Sequence, residues 1–254
     1  MKFTDSFLTV LVSVLPILLY SILVFKLIPK NYISVGRSRR YLITGLMSPL
    51  LIFLAHFMFP EWSSAFSNNI IIAFLVFAIF QVGVLEESMK YVTYHWVTSE
   101  RISSKYDLPI ATMFYTMMIS VGFSICENII YLINIKNHFD VYKFIPQSYV
   151  YDELMNAAFA RSMSAVVMHM ITGVIMGYYL TEKNRIGKLK SIIVAIMAAS
   201  IYHGVYDLNL FMPSEVNKNK DMFIYVILGG GLIIGYFIIK NLIVKSNKLH
   251  HETN

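Results

Sequence analysis

The sequence contains one cysteine, Cys126, among its 254 residues. A single cysteine cannot form an intrachain disulfide or supply a cysteine-based structural zinc site. Charged residues are also scarce, at 14% of the chain against about 25% in soluble domains. Hydrophobic residues make up 57%, more apolar surface than a soluble domain of this size can bury. The composition therefore excludes a disulfide-stabilised secreted domain and indicates an integral membrane protein.

Seven segments are long and apolar enough to cross the ~30 Å hydrocarbon layer of a bilayer as helices. They run over residues 7–28, 41–59, 70–97, 109–135, 157–180, 191–211 and 222–239. The first is too long for the apolar core of a signal peptide, so it is expected to be a retained helix. The sequence predicts an all-α, multi-pass protein of the cell membrane, with residues 1–254 forming one integral membrane domain.

The basic residues indicate the orientation of this bundle. The net charge is +6, but these residues lie between the apolar runs rather than in one patch, so nucleic acid is not an expected partner. One set of connecting loops carries fourteen Lys and Arg residues and the other set carries five. Because positive residues are retained in the cytoplasm, the N-terminus is predicted outside and the C-terminus inside.

The longest connection, residues 136–156, is predicted on the extracytoplasmic side. It mixes five aromatic residues with scattered charges and Pro146. Such a segment is typical of an interfacial helix or lid on the membrane surface, and equally of an ordinary loop in the aromatic belt.

Six charged residues fall inside the predicted spans, where each costs about 2.5–3.5 kcal/mol on insertion scales. They are Glu86, Glu87, Lys90, Glu127, Arg161 and Asp207. Together they would cost on the order of 15–20 kcal/mol if isolated, which exceeds a typical folding stability of about 5–15 kcal/mol. These charges must therefore pair, form hydrogen bonds or line a wet cavity, and residues 70–211 are the predicted catalytic helices.

Helical spacing predicts some of the pairings. Lys90 follows Glu86 by four residues and Glu87 by three, so one glutamate can pair with Lys90 while the other faces a cavity. His203 and Asp207 are also four residues apart, so this pair could orient an imidazole or bind a metal.

The other polar groups lie at a similar depth. Glu127 stands beside Asn128, an amide that could simply hold helices together. His169 follows Arg161 by eight residues, which places the two about 80° apart on a continuous helix. Glu86, Glu127, His169 and His203 all lie within about two turns of the centres of their predicted spans.

Four elements in this order resemble the PrsW family of intramembrane proteases. They are Glu86-Glu87-x-x-Lys90, Phe123-x-x-x-Glu127-Asn128, Arg161 with His169, and His203-x-x-x-Asp207. The resemblance implies membership of a superfamily that also includes the bacterial CAAX-protease-like proteins and the eukaryotic CAAX prenyl endopeptidases. It implies an intramembrane endopeptidase that cuts a membrane-anchored protein, as PrsW-type members cut an anti-sigma factor to begin an envelope-stress response.

The resemblance also implies catalytic roles for four residues. Glu86 corresponds to the base that activates water, with Glu87 beside it, and Glu127 stands where CAAX endopeptidases carry a histidine. His203 corresponds to the histidine that supports the oxyanion. Asp207 replaces the asparagine of CAAX endopeptidases, and an ionised carboxylate cannot donate a hydrogen bond to an oxyanion. Lys90, Asn128, Arg161, His169 and Asp207 are expected to support the site.

The cofactor and the reaction remain open at this stage. His169, His203 and Glu127 could supply three ligands to a catalytic zinc ion, but no helix carries HExxH, which favours water activated by glutamate alone. The same buried groups also suit a proton- or cation-coupled transporter, and a third hypothesis is a membrane protein that binds a peptide without cutting it.

Overall fold

The computed structural model describes residues 32–56, 70–99, 109–140, 146–211 and 220–252, together with Leu11, Ile22 and Ile28. The predicted span 7–28 lies outside the described residues except for those three positions. Every regular element in the described ranges is helical, as the composition predicts. The elements are α1 (Val35–His56), α2 (Ile70–Val76), a π-helical segment (Phe77–Val84), α3 (Leu85–Ser99), α4 (Pro109–Asp140), α5 (Gln147–Met163), α6 (Ala165–Thr181), α7 (Lys183–Ile186), α8 (Lys188–Phe211) and α9 (Lys220–Glu252).

Helix α4 lies at the centre of the bundle and packs most extensively against α6 and α1. Ile110, Met113, Phe114 and Met117 are at most 1% exposed, and their spacing places them on one face of the helix. Helix α8 in turn packs against α6 and the π-helical segment. Polar residues on α3, α4, α6 and α8 are thereby brought toward one region of the interior.

Five helical stretches are long and apolar enough to cross a membrane: Ile72–Thr98, Pro109–His138, Ser148–Thr181, Lys188–Leu210 and Met222–Asn247. They match the last five of the seven predicted spans. The predicted span 41–59 overlaps α1 at residues 41–56, its residues 57–59 lie outside the described part of the chain, and it is not among these five. The number seven and the orientation of the termini therefore stay predictions.

The predicted span 157–180 begins earlier in the structure and is not one regular helix. Helix α5 starts at Gln147, and a break at Ser164 separates it from α6. Residues 136–140 complete α4, and 147–156 belong to α5. Helical structure thus covers most of the connection 136–156, whose place outside the cytoplasm stays a prediction.

The π-helical segment approaches α8 closely through two glycines. A Cβ atom at Gly83 would lie 2.7 Å from the carbonyl oxygen of Ser200, and one at Gly204 would lie 2.6 Å from Cα of Ile79. Both distances are too short for a real side chain. Because α3 begins directly after Gly83 and Val84, this contact fixes the position of the first turn of α3 against α8.

Gly83→Ala is expected to destabilise the protein by about 1–3 kcal/mol, because the added methyl group must push the backbone of α8 away. The measurement is the midpoint of unfolding by SDS in mixed micelles. Gly229→Ala is the matched control, since nothing lies within 4 Å of a Cβ at that helical position. Equal midpoints for the two variants would show that the close approach contributes nothing to stability.

Candidate active site

The first two turns of α3 carry the most deeply buried charges of the site. Glu87 is fully buried and Lys90 is 1% exposed. Lys90 Nζ donates to Glu87 Oε1 at 2.7 Å and lies 3.8 Å from Glu86 Oε2. The ammonium group also lies 4.2 Å from the ring centre of Phe123, which adds a cation–π contact. Glu87 is therefore the glutamate held by Lys90.

Glu127 on α4 binds two partners, one on each side of the helix break at Ser164. Arg161 Nη2 contacts Glu127 Oε1 at 2.7 Å, and His169 Nε2 contacts Oε2 at 2.7 Å. Arg161 Nε donates to Asn128 Oδ1 at 2.9 Å. The separation of 80° expected for Arg161 and His169 assumed an unbroken helix, so it does not apply here. Both side chains reach the same carboxylate.

His169 connects the two groups of charges. Its Nδ1 lies 2.9 Å from Lys90 Nζ, and its Nε2 lies 2.7 Å from Glu127 Oε2. An ammonium group can only donate, so Nδ1 accepts from Lys90 and Nε2 carries the hydrogen that Glu127 accepts. The Glu127 carboxylate thereby fixes the tautomer and the orientation of the ring.

His203 on α8 stands edge-on to His169, with the ring centres 5.0 Å apart. Its Nδ1 lies 2.8 Å from Glu87 Oε1, while Nε2 lies 3.3 Å from Asp207 Oδ2 and 3.7 Å from Glu86 Oε2. With a hydrogen on Nδ1, its Nε2 lone pair faces two carboxylate oxygens. Three acceptors in such proximity repel one another unless a cation, either a proton or a metal ion, lies among them.

The charges of the cluster do not balance. Glu86, Glu87, Glu127 and Asp207 contribute four carboxylates, while Lys90 and Arg161 contribute two cations. Lys90 bonds to Glu87 and Arg161 bonds to Glu127, which leaves Glu86 and Asp207 beside the two histidines. Within the described part of the chain, the excess of two carboxylates matches the charge of a divalent cation.

Three of these residues could hold such an ion. Ligand atoms of Glu86, His169 and His203 lie within 4.8 Å of one another. Glu86 Oε2 is buried and has no hydrogen-bond partner among the described residues, so it has a lone pair available for a cation. The residues present therefore fit a divalent metal. The set differs from the sequence expectation in one member, because both oxygens of Glu127 are already bonded and Glu86 stands in its place. His169 could act as a ligand only through Nδ1, which would have to exchange the Lys90 ammonium group for the ion.

Sequence reasoning named Phe123 only as part of the family motif, and it missed Tyr131, Ser164 and Tyr206 as supporting residues. Phe123 and Tyr131 lie four residues before and after Glu127, on the same face of α4, and Tyr131 stacks 4.2 Å from the Arg161 guanidinium carbon. Their spacing from Glu127 was an available signal. Tyr206 donates to the hydroxyl of Ser164 at 2.8 Å, next to the helix break, and no spacing in the sequence indicates that contact.

The site opens at one end. The Glu127 side chain is 29% exposed and the Glu86 side chain is 12% exposed, whereas Glu87 is fully buried. Arg161 is 16% exposed beside Glu127. Among the described residues, the cluster is therefore more accessible at Glu127 and Arg161 than at Glu87.

Comparison with known proteins identifies the family to which the chain belongs. Residues 40–235 match a family model described as PrsW family intramembrane metalloprotease, which covers more than half of the chain. A protein named Protease PrsW from Oceanobacillus iheyensis is 29% identical over 168 residues, which are 64% of this chain and 66% of that protein. Protease PrsW from Bacillus subtilis is 29% identical over 131 residues, which are 49% of this chain and 50% of that protein. No solved structure matches.

The matched segments cover less than two thirds of either relative's length. The matched range 40–235 includes the positions of all nine residues assigned above to the site: Glu86, Glu87, Lys90, Glu127, Asn128, Arg161, His169, His203 and Asp207. Five helices long enough to cross a bilayer agree with a multi-pass membrane protein. The chain belongs to the PrsW family of intramembrane metalloproteases.

Proposed function

We propose that this protein is an intramembrane endopeptidase that hydrolyses a peptide bond of a membrane-anchored protein. The observation that carries the proposal is the convergence of Glu86, His169 and His203, contributed by three different helices, inside an apolar bundle. Family membership supports the same activity, and both relatives described above are named proteases. Burying two excess carboxylates is costly, and a reaction that needs a bound cation accounts for keeping them.

Glu86, His169 and His203 would hold the metal ion, for which zinc is the best candidate because it accepts mixed nitrogen and oxygen ligands in catalytic sites. When bound, the ion would supply a Lewis acid that activates water and polarises a carbonyl group. Glu87 and Glu127 would orient the two histidines through the ring nitrogens that do not face the ion. The proposal gives Glu86 the role of a ligand, whereas the sequence resemblance implied a base.

Asp207 is the remaining carboxylate without a lysine or arginine partner among the described residues. Its Oδ2 lies 3.3 Å from His203 Nε2, so it stands at the edge of the proposed metal site. We assign to it the transfer of the proton from the attacking water to the departing amine. This role also explains why Asp207 can replace the asparagine of CAAX endopeptidases, which would donate a hydrogen bond.

Substrate would enter at the end where Glu127 and Arg161 are exposed. Arg161 provides a guanidinium group there, and Asn128 Nδ2 is a buried donor without an acceptor in the described ranges. These groups are the donors available to the carbonyl oxygens of an extended peptide. We also propose that the chain crosses the membrane seven times with its N-terminus outside. We propose a distant relation to CAAX proteases. One candidate substrate is an anti-sigma factor that acts in a stress response.

Incubation with single-span membrane proteins tests the activity directly. The purified full-length protein in proteoliposomes is expected to release defined fragments, identified by mass spectrometry. Chelator should stop their release, and added zinc should restore it, because the metal completes the site. Solute flux across the same vesicles, with every candidate substrate left intact, would favour a transporter and overturn the proposal.

A further inference from the structure

A cavity lies near one end of several of the helices that carry the active site, at the end opposite the active-site residues. Its volume is about 520 Å³. Leu180 contributes to its wall and follows His169 by eleven residues, which is about 16 Å along α6. The cavity is therefore separate from the cluster of carboxylates and histidines.

Ten of the sixteen residues that line the cavity carry a cation or a hydroxyl group, while most of its surface is apolar. Four basic residues contribute to its wall: Lys183, Arg185, Lys188 and Lys245. One acid, Glu182, opposes them, which leaves three positive charges in excess. Tyr91, Tyr94 and Thr112 add hydroxyl groups, whereas the hydroxyl groups of Thr98, Thr181 and Ser191 already donate to backbone carbonyls. Such a lining suits an anion with several acceptor oxygens.

Glu182 organises this site rather than neutralising it. It is 8% exposed and accepts from Lys245 Nζ at 3.0 Å and from Arg185 Nε at 2.5 Å. Burial raises the pKa of its carboxyl, but the hydrogen bonds from Lys245 and Arg185 outweigh that effect and hold the pKa below its ordinary value. Lys183 and Lys188 are exposed and form no ion pair with the rest of the described chain. These two lysines remain available to a ligand.

The position of the cavity indicates the source of the anion. Its lining includes residues where four of the five candidate spans begin or end, namely Thr98, Pro109, Thr181 and Lys188. Lys245 lies two residues before the end of the fifth span. The cavity therefore lies where the hydrocarbon layer meets the head-group region, at the membrane end predicted to be cytoplasmic. Lipid phosphates are concentrated at that depth.

We propose that this cavity binds the phosphate-bearing head group of an anionic phospholipid. Lys183 and Lys188 would contact the phosphate, and the hydroxyl groups of Tyr91 and Thr112 would contact its remaining oxygens. The lipid would thereby join α7 to the start of α8. This inference does not depend on proteolysis, because the cavity contains none of the residues assigned to the active site.

Binding of defined lipids to the purified full-length protein tests the inference. Phosphatidylglycerol is titrated in neutral detergent and followed by native mass spectrometry, beside phosphatidylcholine of the same acyl chains and soluble glycerol phosphate. Phosphatidylglycerol is expected to bind as a saturable single copy. The double variant Lys183→Gln/Lys188→Gln should bind it roughly 30-fold more weakly, because each basic residue near a lipid surface contributes on the order of fivefold.

The variant Lys190→Gln/Lys240→Gln is the matched control, since both residues are exposed lysines outside the cavity. It removes the same charge and should change binding less than about twofold. Equal weakening by the two double variants would mean diffuse attraction and would overturn the site. Phosphatidylcholine binding as tightly as phosphatidylglycerol would overturn the requirement for an anion. If soluble glycerol phosphate binds as tightly as phosphatidylglycerol, the claim that the ligand is a lipid is wrong.

Discussion

Glu86→Gln is expected to reduce cleavage at least roughly 10³-fold and to remove the bound metal as well. The substitution keeps the size of the side chain but replaces the carboxylate that has a buried, unpartnered oxygen beside His169 and His203. It also removes one of the two excess negative charges that match a divalent ion. Initial rates of fragment release and the metal content after gel filtration, by plasma mass spectrometry, are the two measurements.

Asp207→Asn is the comparison that separates a ligand from a proton carrier. Asp207 lies at the edge of the proposed metal site, so this variant should keep its metal while cleavage falls on the order of 10²–10⁴-fold. If the Glu86→Gln protein keeps its metal but cannot cleave, Glu86 acts as the base, as the sequence resemblance implies, and not as a ligand. Normal cleavage by Glu86→Gln would remove Glu86 from the reaction altogether.

Helix geometry explains why part of this site could be predicted from sequence. The separation of Lys90 from Glu87, and of His203 from Asp207, places each pair on one helix face whatever the rest of the fold does. The cost of buried charge likewise requires partners, so a polar cluster within residues 70–211 could be predicted. The pattern could not decide which glutamate pairs with Lys90, because both spacings permit the contact.

The remaining contacts depend on packing that leaves no sequence pattern. Arg161 and His169 reach Glu127 together because the helix breaks at Ser164, and no proline or glycine marks that break. The π-helical segment before Glu86 is likewise hidden in an ordinary apolar run. The exchange of Glu127 for Glu86 among the candidate ligands also could not be predicted from spacing, because it depends on which carboxylate oxygens are already hydrogen-bonded.

Lys90→Met is expected to lower the free energy of unfolding by about 3–5 kcal/mol, the usual result of removing one partner of a buried ion pair. Glu87 is fully buried, and Lys90 is its only lysine or arginine partner among the described residues. Methionine fills a similar volume, so the loss would come from the unpaired carboxylate rather than from a cavity. The measurement is SDS unfolding in mixed micelles, with Lys240→Met as an exposed control expected to change stability little.

The double variant Glu87→Gln/Lys90→Met distinguishes this cause from a general packing defect. Glutamine removes the unpaired charge while its amide oxygen can still accept from His203 Nδ1, which lies 2.8 Å from Glu87 Oε1. We therefore expect the double variant to regain most of the stability that Lys90→Met loses, since replacing both partners of a buried pair is often nearly neutral. A double variant no more stable than Lys90→Met would show that Lys90 stabilises the bundle through its contacts with Phe123 and His169 instead.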